Sequence, residues 1–130
     1  PATLRRQRQM CIRDSTEKDW TMEELVAKGE GVYQMNCVAC HQVNGAGIPG
    51  IFPALAGSDI VLNNKPRNVE ILMEGVQGAA MQSFANQLSE VDMAAVITYT
   101  RRAWGNDAKG DGEIVVPKEI VEYKENKIKI

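Results

Sequence analysis

Five consecutive residues, Cys37-Val38-Ala39-Cys40-His41, constrain this chain more than anything else in it. Two thiols three positions apart fall on one face of a helical turn, and the imidazole follows at once. His41 is the sole histidine, so chemistry that needs two imidazoles is excluded. Three cysteines in 130 residues do not make a disulfide framework. A net charge of −2 carries no basic excess of the kind a nucleic-acid-binding domain shows. No apolar run approaches the ~20 residues that a membrane-crossing helix needs. The length suits one domain with a core of its own. That core is short of rings: 44% of the residues are apolar but only 5% are aromatic. A large planar group bound covalently would complete it.

The C-x-x-C-H run is the attachment signature of a c-type haem. The thiols of Cys37 and Cys40 can add to vinyl groups on neighbouring pyrroles, and His41 can then ligate the iron. Two other readings of the motif stay open at this point. A redox dithiol is one, although no βαβ pattern surrounds it. A structural zinc module is the other, with Cys11, Cys37, Cys40 and His41 as Cys₃His, although no second ligand pair follows at knuckle spacing. Given haem and a single histidine, methionine is the natural second axial ligand, a pairing that raises the reduction potential. Met10 lies in an anomalous leader, Met22 opens a helix, and Met35 is too near the attachment site. Met73 and Met93 sit among apolar helical neighbours, where methionine usually fills core space. Met81 lies in a Gly-rich loop forty residues after His41 and is the expected ligand. A labile Met81 in a haem sensor is a further possibility.

Along the chain, residues 1–14 carry four arginines against one acid, whereas 15–105 carry six basic and ten acidic residues. The first segment has no apolar period and no signal-peptide core. We read it as a non-native leader joined to a partial gene, with a basic arm as the alternative. Thr21-Met22-Glu23-Glu24 is a capping box, and the spacing that follows predicts a helix over 21–36 with Gly29 inside it. The stretch 44–58 is rich in Gly and Pro and predicts a loop. Asn63-Asn64 with Pro66 predicts a helix start, running to about 74 before Gly75. After another loop over 75–88, Ser89 opens a helix to about 104. Residues 107–130 are expected to be a polar arm, extended or mobile. The fold class is therefore all-α, three to four helices with long loops, the cytochrome domain spanning 15–106.

Over about 21–105 the chain resembles class I cytochromes c. Gly29 and Tyr33 in the first helix, and Val96 and Tyr99 in the last, match positions where that family crosses its terminal helices. Pro53-Ala54-Leu55-Ala56-Gly57 is similar to the family's P-x-L-x-G stretch. The resemblance implies that the Pro53 carbonyl accepts a hydrogen bond from His41 and that Leu55 packs on the haem. Arg101, Arg102 and Trp104 could contact a haem propionate or a neighbouring domain, but capping and covering the last helix is the preferred reading.

The stretches 29–33, 39–42, 45–55 and 94–106 more closely resemble the C-terminal haem domain of subunit II of bacterial cytochrome c oxidases. That resemblance implies a fragment lacking the preceding CuA copper domain, since no copper motif is present. It further implies a share in an O₂-reducing enzyme, with one covalent haem c relaying electrons to CuA. The donor would be an upstream cytochrome or quinol-oxidising complex, and the partners the other oxidase subunits. The location would be the periplasmic face of the inner membrane. The alternative is a free-standing soluble cytochrome c or the haem domain of a dehydrogenase.

Overall fold

The computed structural model describes residues 18–79 and 81–128, with side chains to 126. The basic leader, Met10 and Cys11 lie outside the described residues. Among the described residues six α-helices form: α1 (Met22–Asn36), α2 (Val38–His41), α3 (Asp59–Asn63), α4 (Lys65–Glu74), α5 (Glu90–Arg102) and α6 (Pro117–Ile128). A single 3-10 turn, Asn106–Ala108, follows α5. Among the described residues the only bridge of β type joins Ile48 and Phe52. The all-α class is observed, with more helices than three or four because the short α2 and α3 and the late α6 are added.

The helix starts follow from side-chain capping. The Thr21 hydroxyl accepts from the Glu24 amide at 3.2 Å, and Glu24 accepts from the Thr21 amide at 3.2 Å. This reciprocal pair satisfies two otherwise orphaned donors. The Lys18 ammonium reinforces it, and with the Thr21 bonds it holds the Glu24 carboxyl below its ordinary value. Asn64 caps α4, which also has proline in its first turn, and Ser89 caps α5. Ser58 caps the five-residue α3, which local pattern did not distinguish from the surrounding loop.

In α1 the buried positions are Leu25, Gly29 and Tyr33, one every four residues, which is a single stripe. The stripe lies on α5, whose buried residues run almost all round: Val91, Met93 to Thr98, Thr100 and Arg101. A helix apolar on all sides must be covered on all sides. Gly29 permits the α1 side of that cover, since a Cβ there would fall 2.1 Å from the Ala95 carbonyl oxygen.

The segment expected as a polar arm covers the other side of α5. Instead of an extended chain, residues 117–128 are helical, and Val115 and Ile120 are fully buried. The Thr98 hydroxyl takes both backbone groups of Val115, donating to the carbonyl at 2.9 Å and accepting from the amide at 3.0 Å. Glu119 accepts from the Val116 amide at 2.8 Å and so caps α6 from within. Ion pairs Lys124–Glu90 at 2.8 Å and Lys65–Glu119 at 2.5 Å fasten α6 to α5 and α4. The physical reason for the correction is tertiary: mixed charge and β-branched residues are ambiguous alone, but α5 has an open apolar side to cover.

Arg101 joins the outer pieces. Its buried guanidinium donates to the Val61 carbonyl at 2.9 Å, to Leu62 at 3.4 Å and to Glu113 at 2.9 Å, and pairs with Asp111. It therefore braces α3 and the 111–113 segment against α5. The hydrogen bond from Arg101, helped by the Glu113 amide, holds the Asp111 carboxyl below its ordinary value. A depressed carboxylate contributes stability above its unfolded value, ~3.9, and loses it as pH falls through the folded value. Asp111→Asn is expected to flatten the acid side of a plot of urea midpoint against pH below about pH 4, and to leave less stability at neutral pH. An unchanged acid slope would show that the pair does not carry that dependence.

Candidate haem-binding site

The chain breaks at Cys37 (φ −120°, ψ −26°) between α1 and the one-turn α2, so Cys37 caps the turn that carries Cys40 and His41. Both cysteines are unbridged and half-buried. Burial, and then the charge of Cys40, pushes the Cys37 thiol up to about 11. A nucleophilic redox dithiol requires the opposite shift. Among the described residues no group of three or more His, Cys, Asp or Glu could hold a metal ion, which removes the zinc reading's support there. Cys11, its fourth ligand, lies outside them.

His41 Nδ1 lies 3.0 Å from the Pro53 carbonyl oxygen. A carbonyl only accepts, so Nδ1 is the donor, and in the neutral ring Nε2 is the nitrogen with the lone pair. Such a bond fixes the ring and raises its basicity as a metal ligand. Gly47 makes the approach possible: a Cβ there would stand 2.4 Å from the Phe52 oxygen and 2.6 Å from that of Pro53. Its φ of +65° independently favours glycine. The Gly47 amide also donates to the His41 carbonyl at 3.0 Å, tying the ring's own backbone to the loop.

The methionines separate by burial. Met93 and Met73 belong to the core, at 0% and 6% exposure, while Met35 is 86% exposed. Met81 is partly buried against the core cluster, as are Cys37, Val38 and Leu55. Its backbone is held, because its carbonyl accepts from the Val76 amide at 3.0 Å. Gly75, at φ +74°, lies so close to the 81–83 backbone that a Cβ would fall 2.9 Å from the Met81 oxygen. The donor set therefore fits a covalently attached haem. It comprises two free thiols on a helical turn, an imidazole with its lone pair on Nε2, and a thioether on a pinned loop. Val38 and Leu55, like Cys37 and Met81, are partly buried against the apolar core.

Three rings brace the segment that follows His41. Tyr33, Tyr99 and Trp104 stand with centroids 5.2 to 5.7 Å apart. Tyr33 donates its hydroxyl to the Gln42 carbonyl at 2.5 Å, and burial pushes its phenol well above the usual range, so it stays a donor. Trp104 Nε1 donates to the Val43 carbonyl at 2.9 Å. Arg101 and Trp104 thus brace the fold, Arg101 through its three backbone acceptors and Asp111. Gly45, Gly47 and Asn106 were missed as site-forming residues by sequence reasoning. Their partners lie up to fifty-nine residues away, as Trp104 does from Gly45, and only the glycine-rich pattern of the loop hinted at them.

Comparison with known proteins agrees with this geometry. The family model described as "Cytochrome C oxidase, cbb3-type, subunit III" matches residues 24–99. The cytochrome c subunit of a quinone-dependent alcohol dehydrogenase from Gluconobacter oxydans (strain 621H) is 35% identical over 92 positions. That match takes 63% of this chain but 19% of the subunit. The corresponding subunit of Gluconacetobacter polyoxogenes is 30% identical over 92 positions, 63% of this chain and 20% of that one. Cytochrome c-552 of Thermus thermophilus is 38% identical over 100 positions, covering 66% of this chain and 75% of that protein.

These relatives correct one expectation. The similarity leads to cytochrome c subunits of dehydrogenases and to cytochrome c-552, not to oxidase subunit II, so a share in an O₂-reducing enzyme is not supported. The stretches that suggested subunit II build the haem-binding fold itself, here the Gly29 crossing and the 45–55 loop, and do not separate its branches. With the family model covering more than half of the chain, and cytochrome c-552 matched over three-quarters of its length, the chain belongs to the cytochrome c family and is a haem c electron-transfer domain.

Proposed function

We propose that this chain carries one haem c, thioether-linked through Cys37 and Cys40, with His41 and Met81 on the iron, and works as the haem domain of a periplasmic dehydrogenase complex. The observation that carries the ligand assignment is the His41 Nδ1–Pro53 contact at 3.0 Å, directly after the two thiols. When bound, the haem supplies a one-electron ferric/ferrous couple. The protein's part is to hold both axial donors in place. Pro53 keeps the His41 ring oriented, and the Val76 amide with Gly75 keeps the Met81 loop close. The dehydrogenase assignment rests on the similarity to the alcohol dehydrogenase cytochrome subunits, of which the chain spans about a fifth. A free-standing carrier is the second reading, favoured by the far larger share of cytochrome c-552 that is matched. No helix among the described residues is long and apolar enough to cross a membrane.

The test is an optical spectrum, with and without dithionite, of the full chain exported to a periplasm equipped for haem c maturation. Sharp c-type bands that survive denaturation are expected, together with the weak red band of methionine–Fe(III). A colourless protein that retains zinc would overturn the reading. Met81→Ala is expected to keep the covalent haem, lose the red band and lower the potential by roughly 0.2 V, within the ~0.8 V span that axial ligands control. An unchanged spectrum would remove Met81 as ligand.

A further inference from the structure

The two loops that hold His41 and Pro53 in register are both fastened to one distant turn. Residues 42–47 follow His41, and residues 53–57 contain Pro53; neither loop has regular structure to stiffen it beyond the bridge between Ile48 and Phe52. At the end of α5, Trp104 and Asn106 each take one of them. Trp104 donates from Nε1 to the Val43 carbonyl at 2.9 Å, two residues after His41. Its ring covers Gly45 so closely that a Cβ there would fall 2.5 Å from a ring carbon. Asn106, fully buried, donates to the Leu55 carbonyl at 3.2 Å, two residues after Pro53. It also accepts from the Gly57 amide at 2.9 Å and donates to the Thr100 carbonyl at 2.8 Å. Direct bonds between the loops close the third side, with the Leu55 and Ala56 amides donating to the Gly45 carbonyl at 2.7 and 3.0 Å.

The backbone of the turn is unusual. Trp104 has φ +56° and Gly105 φ +82°, two left-handed residues in succession. Glycine adopts this freely, but for a bulky residue it is a genuine outlier, costing on the order of 1–3 kcal/mol. What that conformation achieves is visible in the bonds: a ring at 104 and an amide at 106 reach two different loops.

We propose that the Trp104-Gly105-Asn106 turn is a two-point clamp that sets the hydrogen bond between His41 Nδ1 and the Pro53 carbonyl. Trp104 and Asn106 are then positioning residues for the axial histidine, a role that rests on the haem reading above. The anchor points are symmetric, each two residues beyond a member of the pair, so loosening either one lets the ring and its acceptor drift apart. A strong Nδ1–H bond makes the imidazole a better donor to the ferric ion and lowers the potential. Loosening the clamp raises it.

The test uses the full chain, ¹⁵N-labelled at histidine. Trp104→Phe keeps a ring over Gly45 and removes only the Nε1 donor; Asn106→Ser removes the amide that bonds Leu55, Gly57 and Thr100. Thr98→Val is the control, since it breaks the Val115 bonds on the α6 side and touches neither loop. In the two clamp variants, exchange of the His41 Nδ1 proton with solvent is expected to quicken at least tenfold, and the potential to rise. Thr98→Val should lower the unfolding midpoint and leave both where they were. The proposal is overturned if folded Trp104→Phe keeps wild-type exchange and potential, or if Thr98→Val shifts them equally. Should the wild type attach no haem, the haem reading fails on its own. The balance of His41 tautomers, read from the ring ¹⁵N shifts, still decides the clamp, because it needs only His41 and Pro53.

Discussion

Gly29→Ala is expected to destabilise the protein by about 3 kcal/mol, while Gly31→Ala, two residues along the same helix, stabilises it by up to about 1 kcal/mol. Helix propensity is the same for both and favours alanine. Packing differs. A Cβ at Gly29 would stand 2.1 Å from the Ala95 oxygen, 2.6 Å from its carbonyl carbon and 2.7 Å from the Tyr99 Cβ. Two of these three are backbone atoms, which no rotamer change can move. The α1–α5 crossing would have to open by more than an ångström, loosening Leu25 and Tyr33, which are 0% and 1% exposed. Interiors are close-packed, so a gap of that size forfeits contacts along the whole stripe. At Gly31 nothing lies within 4 Å, and only the propensity gain remains. Thermal unfolding of the two variants decides the matter. A fall of roughly 10 °C is expected for the first and a small rise for the second. Equal shifts would mean that α1 and α5 do not cross at Gly29.

That pair of glycines shows how much the sequence could tell. The α1 boundaries were legible because a capping box and a four-residue apolar period agree locally, and Gly29 stood out against a good helix. The start of α4 was equally plain from Asn64 and Pro66. The C-terminal helix was not. Val115, Val116, Ile120 and Val121 suit a strand as well as a helix, and the deciding partners, Thr98, Glu90 and Lys65, come from elsewhere in the chain. A local sign did exist, Pro117 at the first helical position with Glu119 two residues on, and it was weaker than the charge pattern around it. The haem motif was legible because its chemistry is contiguous. The brace behind it was not, since Trp104 reaches Val43 across sixty-one residues and Asn106 reaches Leu55 across fifty-one. The choice of oxidase subunit II failed for a related reason. Residues shared because they build a haem pocket cannot say which complex uses the pocket.

Replacing both Cys37 and Cys40 by serine is expected to abolish covalent haem altogether, the largest functional effect available from two atoms. Denaturing electrophoresis with haem staining should show a full signal for the parent chain and none for the double variant. Each single variant should retain a fraction, since one thioether remains possible. The fold argument sets a second expectation. Neither cysteine belongs to the fully buried core, and both are unbridged, so serine at these positions costs little packing within the polypeptide. His41 would keep its bond to Pro53, and Met81 its pinned loop. Haem added to the double variant could therefore still bind, held by axial donors and apolar contact alone, and would be lost on denaturation or dialysis. Dialysable haem with a His/Met spectrum would separate the proposed attachment role of the thiols from the proposed ligand roles of His41 and Met81. Haem that stays through denaturation in the double variant would mean that Cys37 and Cys40 are not the attachment points.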